Sequence, residues 1–194
     1  MEIDKSKISP MMKQYIDIKK RYEGHILFFR LGDFYEMFFD DAIVVSKALE
    51  LTLTGRDCGL EERAPMCGVP YHSSEMYIKN LIEMGYKVAI CEQITDPSES
   101  KGIVERDVVR VVTPGTLIES SMLDESSNNY LCSLYYKDEE CALCFADIST
   151  GEVNLCKKRG KDLQTDIINE LSRYNPAEIV FNVDFLNLKA VTDF

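Results

Sequence analysis

Positive charge is what this chain is short of. Its 194 residues carry 22 Lys+Arg against 33 Asp+Glu, a formal net charge of −11, with a sequence pI near 4.7. A basic nucleic-acid module, with pI above about 9, is excluded as the average character of the chain. Long apolar runs are also missing. No stretch approaches the ~20 residues that a membrane helix needs, and the polar start MEIDKSKIS does not read as a secretory signal. Neither the Gly-Lys-Ser/Thr of a P-loop nor a GxGxxG run occurs, so the common nucleotide cradles are absent. Only two histidines are present, His25 and His72, far apart and without a Ser/His/Asp or Cys/His constellation around either. Internal repeats and extended low-complexity segments are lacking too. What remains is 45% hydrophobic and 28% charged, which is not the composition of a disordered acidic chain. The length suits one or two domains and can bury roughly 70% of its unfolded surface.

Seven cysteines lie at 58, 67, 91, 132, 141, 144 and 156. The number is odd, the spacing scattered and no export signal precedes them, so reduced thiols in a cytoplasmic protein are expected. Cys141-Ala-Leu-Cys144 has CxxC spacing, but half a zinc site needs a second pair, and none follows. The surrounding run reads as a strand, where positions three apart point to opposite faces, so two structural thiols are the simpler reading.

Patterning divides the chain. Residues 1–115 hold 19 acids and 15 bases, net −4, and residues 116–194 hold 14 acids and 7 bases, net −7. Between the patterned regions lies ESSMLDESSNN at 119–129, rich in Ser, Asn and acids, which reads as a linker or long exposed loop. The first region is mixed α/β. Ser9-Pro10 opens a helix with Met11, Tyr15, Ile18 and Tyr22 at helical spacing. The run at 25–31 is a strand, and a second helix carries Phe38, Ala42, Val45 and Leu49 on one face. A strand and turn follow at 51–56. Ser73 or Ser74 opens a third helix that ends at Gly85, and strands are expected at 86–93 and 108–113. The second region reads β-β-β-α-β: an antiparallel meander over NYLCSLYY, ECALCFADIS and GEVNLCKK, a helix at 161–174 ended by Asn175-Pro176, and a strand at 178–182. NVDFLNLKAVTDF then offers no closing element, so the second domain is expected to be cut short.

The β-β-β-α-β order is the opening of a ribonuclease-H-like fold, and Asp147 falls on its second strand. A two-metal nuclease needs several convergent acids, which one strand acid does not supply; a solvated strand-end carboxylate is the plainer alternative. The most unusual segment is GDFYEMFFDD at 32–41, four aromatics interleaved with acids. If a helix began at Phe34, periodicity would place Phe34 one turn before Phe38 on the buried face, and Glu36 would be a first-turn acid favoured by the helix dipole.

GDFYE at 32–36 resembles the Phe-x-Glu mismatch-reading motif of the MutS family of DNA mismatch-repair sensors. SPMMKQY at 9–15, FFRLGDFYEMFFDDA at 28–42, PMCGVPYH at 65–72, VAICEQITDP at 88–97, VERDVVRVVTPGT at 104–116 and NPAEIVF at 175–181 are similar to that family in the same order. The resemblance covers essentially the whole chain. It implies an α/β mismatch-recognition domain over 1–115, a linker over 116–128, and a ribonuclease-H-like α/β connector domain over 129–194, truncated and not a nuclease. It also implies that Phe34 inserts beside a mispaired or unpaired base in duplex DNA and that Glu36 bonds that base. Arg56, in the turn after LTLT, would contact a phosphate or stand as a solvated turn cation. Gly68 and Pro70 would shape a loop beside the motif, and His72 would be a polar helix-entry residue. No catalytic residue, metal ligand or cofactor is expected in this stretch. ATP and Mg belong to an ATPase domain that these residues do not include, so the stretch is expected to be a binding module rather than an enzyme. The resemblance further implies a MutL-type repair partner for the connector, a homodimeric full-length protein, and location in the bacterial cytoplasm with the nucleoid rather than at a membrane. Two other readings are kept beside it: a metal-dependent nuclease using Asp147, and a pure protein-interaction module supported by the acidic second half.

Overall fold

A computed structural model of the chain describes residues 8–59, 62–95 and 104–193. The chain divides into two compact units, Met1–Val112 and Thr113–Phe194. Each is α/β, as the patterning predicts.

The first unit opens with helix α1, Pro10–Arg21. Ser9 caps it by accepting the Met12 N–H at 3.4 Å, Pro10 takes the first helical position, and Lys19, Lys20 and Arg21 sit at the negative end of the helix dipole. Then come β1 (Ile26–Leu31), β2 (Phe34–Phe38), α2 (Phe39–Ala48), β3 (Thr54–Arg56), β4 (Ala64–Pro70), α3 (Ser74–Glu83), β5 (Val88–Gln93) and β6 (Arg106–Val112). Six strands form one mixed sheet in the order β3-β4-β2-β1-β5-β6. Only the β1–β5 pair is parallel. Met12, Tyr15 and Ile18 of α1 bury against Leu27, Phe29, Phe38, Ala89 and Cys91. Burying each such large side chain is worth about 1.5–3 kcal/mol, and this face sets the plane of the sheet.

Two expectations fail here. A helix does not begin at Phe34: FYEMF is a strand, the extended backbone at a strand-to-helix junction that turns Phe34 and Glu36 the same way, and α2 begins only at Phe39. With β1 on one side and β4 on the other, sheet pairing satisfies the backbone of this segment and overrides its helical spacing. PMCGVPYH is likewise no loop. Residues 64–70 are β4, which puts Gly68 opposite Glu36 and Pro70 opposite Phe34. His72 is exposed in a single 3₁₀ turn, Tyr71–Ser73, just before α3.

The second unit holds β7 (Tyr130–Lys137), β8 (Glu140–Asp147), β9 (Glu152–Arg159), α4 (Leu163–Tyr174) and β10 (Glu178–Phe181). The sheet order is β10-β7-β8-β9; the first three strands form the expected antiparallel meander, and β10 joins β7 in parallel. Asp138 and Glu139, both at positive φ, make the two-residue turn between β7 and β8. Leu163, Ile167 and Leu171 of α4 bury against Cys132, Leu134, Cys141, Leu143 and Phe145. The last segment is not structureless. A 3₁₀ turn at Val183–Asn187 and a short helix α5 at Lys189–Thr192 put Phe185, Leu188 and Val191 into the same core. Single short turns lack the periodicity that makes a helix visible in sequence. At the start of the unit, Thr113 caps the turn Pro114–Thr116. A Cβ on Gly115 would lie 2.9 Å from Glu178 Cβ and 3.1 Å from Leu131 Cβ, so only glycine lets the turn approach β7 and β10 this closely. Leu117 and Met122, within the segment read as linker, are buried.

Candidate nucleic-acid interface

The geometry of Phe34 follows from the hairpin that carries it. β1 and β2 pair antiparallel with Leu31 opposite Phe34 and Phe29 opposite Glu36. Gly32, at φ +57, supplies the left-handed residue of the turn between them. In a strand, residues two apart share a face, so Phe34 and Glu36 project together while Tyr35 and Met37 are buried on the other side. Phe38 continues the Phe34 face and is buried in the α1 core. Phe34, at the turn end, is 46% exposed. Periodicity read as helical made it a core residue; on a strand that runs out past the covering helix, it is an apolar edge.

Glu36 is less open, with a side chain 15% exposed, and it forms an ion pair with Arg56, whose side chain is 37% exposed. Arg56 lies on β3, two strands away in the sheet. The contact is from Arg56 Nη1 to Glu36 Oε2. Among the described residues, Oε1 of Glu36 takes no hydrogen bond. Between the two strands runs Gly68, where an added Cβ would meet Tyr35 O at 3.2 Å and Glu36 Cγ at 3.4 Å. A Cβ there would crowd the Tyr35 carbonyl and come into contact with Glu36 Cγ.

Two networks hold this hairpin. At its base, the buried Tyr15 hydroxyl accepts the Phe38 N–H at 3.2 Å, and its one proton serves Phe38 O at 3.2 Å or Asp41 Oδ2 at 3.4 Å. Asp41 in turn accepts the Leu27 N–H at 3.0 Å and an ion pair from Lys19 at 2.8 Å. Burial first, and the Asp41 charge second, push the Tyr15 hydroxyl well above its ordinary pKa, so it stays protonated and can donate. At the turn, Arg30 Nε donates to Gly32 O at 2.6 Å, and Tyr71 N–H donates to Asp33 O at 2.9 Å. The Arg30 guanidinium stacks on the Tyr71 ring with 3.5 Å to its centroid and lies 3.7 Å from Glu92. Glu92 also accepts from the Tyr35 hydroxyl. Neither Arg30 nor Tyr71 stood out in sequence; the one signal was an arginine inside the otherwise apolar run HILFFRL.

The other candidates disperse. Asp147 is 2% exposed and is spent on the chain itself. Its Oδ1 accepts from the Ser149 hydroxyl at 2.6 Å and N–H at 2.9 Å, and its Oδ2 accepts the Asn129 N–H at 3.1 Å. Burial raises its pKa, but these hydrogen bonds outweigh that and leave it below the ordinary carboxylate value. The solvated strand-end alternative is therefore replaced by a buried turn cap. No group of three or more His, Cys, Asp or Glu side chains that could hold a metal occurs among the described residues. Cys141 is buried and Cys144, on the opposite face, is half-buried; burial pushes the Cys141 thiol up to about 11, which makes it a poor nucleophile and a poor metal ligand. Among the described residues no helix is long and apolar enough to cross a membrane.

Comparison with known proteins finds two successive family models, the first of which runs nine residues past the end of the first structural unit. A family model described as MutS domain I matches residues 9–121, and one described as MutS domain II matches residues 129–193. Three proteins named DNA mismatch repair protein MutS are similar to it. That of Clostridioides difficile (strain 630) is 56% identical over 188 residues, 96% of this chain and 19% of its own length. That of Clostridium botulinum (strain 657 / Type Ba4) is 58% identical over 173 residues, 89% of this chain and 18% of its own. That of Alkaliphilus oremlandii (strain OhILAs) is 54% identical over 178 residues, 92% of this chain and 20% of its own. The chain thus spans about one fifth of the length of the curated relatives it matches.

Proposed function

The chain belongs to the MutS family, and from that premise we propose that its first unit reads mispaired or unpaired bases in duplex DNA during mismatch repair, Phe34 entering beside the base and Glu36 bonding it. The observation that carries this is a half-exposed phenylalanine at the end of a braced hairpin, with a carboxylate two residues on and on the same face. An apolar side chain wedged into a base step unstacks it and kinks the duplex, at a cost of a few kcal/mol. A mispair is already poorly stacked, so the same distortion costs less there. Deformability then decides, which suits a sensor that accepts many mispairs. Glu36 adds selectivity rather than affinity. A carboxylate facing phosphates weakens binding unless a displaced base offers it a donor.

The second unit acts in this reading as the connector, facing a MutL-type partner, within a homodimeric protein whose ATP- and Mg-dependent chemistry resides in sequence other than these two units. The nuclease alternative loses its support because Asp147 is consumed by its own turn. The test is equilibrium binding of the intact protein to a mismatched and a fully paired duplex of otherwise equal sequence. Phe34→Ala should bring the two affinities together; Glu36→Gln should strengthen binding to the paired duplex and shrink the ratio. An unchanged ratio in Phe34→Ala refutes the wedge.

A further inference from the structure

We propose that Arg56 is a positioning residue for Glu36: it ties down one carboxylate oxygen so that the other is presented to the base beside Phe34. This rests on the mismatch-reading role of Phe34 and Glu36 and deepens it. The two oxygens of Glu36 are not equivalent in the structure. Oε2 is taken by Arg56 Nη1, and Oε1 has no hydrogen-bond partner among the described residues. Without that ion pair Glu36 would be a side chain of many rotamers on the sheet face, and ordering it at the moment of recognition would carry an entropic cost. Arg56 removes that cost in advance. Its guanidinium also offsets the carboxylate charge without consuming the second oxygen. The free oxygen is an acceptor only, so the ligand chemistry it selects is an N–H of a displaced base, an imino or amino donor, and not a phosphate. Gly68 leaves room for this arrangement, since a Cβ there would crowd Tyr35 O at 3.2 Å and touch Glu36 Cγ at 3.4 Å.

A phosphate-contacting arginine makes a different prediction. Removing such a residue weakens binding to every duplex about equally. A positioning residue acts on the ratio of mismatched to paired affinity, and only while Glu36 is present. The experiment is therefore a double-mutant cycle in the intact protein: Arg56→Ala, Glu36→Gln and the two together, each measured on the same mismatched and paired duplexes, with thermal unfolding recorded for each. Arg56→Ala should lower the ratio about threefold or more and should lower it no further in the Glu36→Gln background. Arg56→Lys, which keeps a cation able to hold one oxygen, should restore most of the ratio; a loss that came from general destabilisation would instead track the unfolding temperature. An unchanged ratio in Arg56→Ala, or an equal fall in both backgrounds, overturns the proposal. Phe34→Ala, run alongside, separates the two layers. If it keeps the ratio, the mismatch-reading role itself falls; if it abolishes the ratio while Arg56→Ala leaves it intact, only the positioning role falls.

Discussion

Replacing Tyr15 by Phe removes one oxygen atom and nothing else, and the structure says where the loss is felt. The ring would still stack edge-on against Phe29 and Phe38, at centroid distances of 5.4 and 4.9 Å, so no cavity term of consequence enters. The hydroxyl takes with it the acceptor of the Phe38 N–H and the donor to Phe38 O or Asp41. A net hydrogen bond is worth about 1 kcal/mol, and a buried donor left without a partner costs about 1–3 kcal/mol, so the first unit should lose about 2–4 kcal/mol. Phe39, the next residue, sits at φ +54. That conformation costs a bulky residue about 1–3 kcal/mol and persists only where surrounding contacts enforce it, so the variant also releases a strained junction. For a unit of this size each kcal/mol corresponds to about 4 °C, giving a fall of about 8–16 °C in its unfolding temperature.

Hydrogen exchange followed by mass spectrometry localises the effect. Protection should drop in peptides covering β1, β2 and the start of α2, while peptides of the second unit keep theirs. The mismatch-to-paired affinity ratio should fall with it, because the strand that carries Phe34 is anchored at this end. A stability change under about 0.5 kcal/mol, well below the expected range, or a loss of protection spread evenly over both units, would refute the assignment of Tyr15 as the anchor.

Arg30→Met should loosen the Gly32–Asp33 turn and cost about 1–2 kcal/mol through loss of the ring stack and the Gly32 O bond, read as faster exchange at residues 31–34; unchanged exchange there would discount the clamp. Gly68→Ala should lower the affinity ratio through Glu36, since the added Cβ would lie 3.4 Å from Glu36 Cγ, and a ratio equal to that of the unmodified protein would show that the strand gives way instead. Folding depresses the Asp147 pKa below its ordinary 3.8, so its contribution to stability is present above that value and is lost as pH falls through the folded one; Asp147→Asn should flatten this acid limb of the second unit, and an unchanged limb would mean other carboxylates control it. Burial raises Cys67 and Cys141 to about 11 and Cys91 and Cys132 to about 12, so these thiols should resist alkylation at neutral pH in the folded protein while the half-buried Cys144 reacts before them; rapid labelling of Cys141 would revive a redox role for the CxxC pair.

Where local chemistry decides an element, the sequence was enough. Ser9-Pro10 starts α1, β-branched runs mark β5 and β6, and Asn175 at φ +44 closes α4. The meander was legible because its turns are short and its strands alternate, which also placed Cys141 and Cys144 on opposite faces. The site was legible only through resemblance. FYEMF has spacing that fits a helix as well as a strand, and β4, which settles the matter, comes some thirty residues later in the chain. Arg56 meets Glu36 across twenty residues of sequence, and Arg30 meets Tyr71 across forty-one. Neither contact has a periodicity to betray it, since both depend on sheet register. Asp147 is a different kind of miss. Asp-x-Ser-Thr-Gly is a turn signature in which the aspartate bonds the backbone two residues on, so the buried cap is readable where the strand-end reading had only solvent around it.

The net charge that argued against nucleic acid is consistent with mismatch reading once the cations are followed to their partners. Arg21 pairs with Asp107, Lys19 with Asp41, Arg30 with Glu92, Arg56 with Glu36, and Arg106 donates to the carbonyls of Arg30 and Val104. Cations so committed are poor sources of counterion release, the term that gives duplex binding its bulk, sequence-blind affinity. Under the proposed reading, discrimination by the cost of unstacking would be served by keeping these cations engaged with the protein. In that reading, a wedge would distinguish a mispair from a sound step by a few kcal/mol at most. If the reading unit also drew strong attraction from phosphates, the sound duplex would bind nearly as well and the difference would be swamped at working DNA concentrations. In the proposed reading, an acidic reader with one apolar wedge and one oriented carboxylate would keep the deformation energy as the deciding quantity.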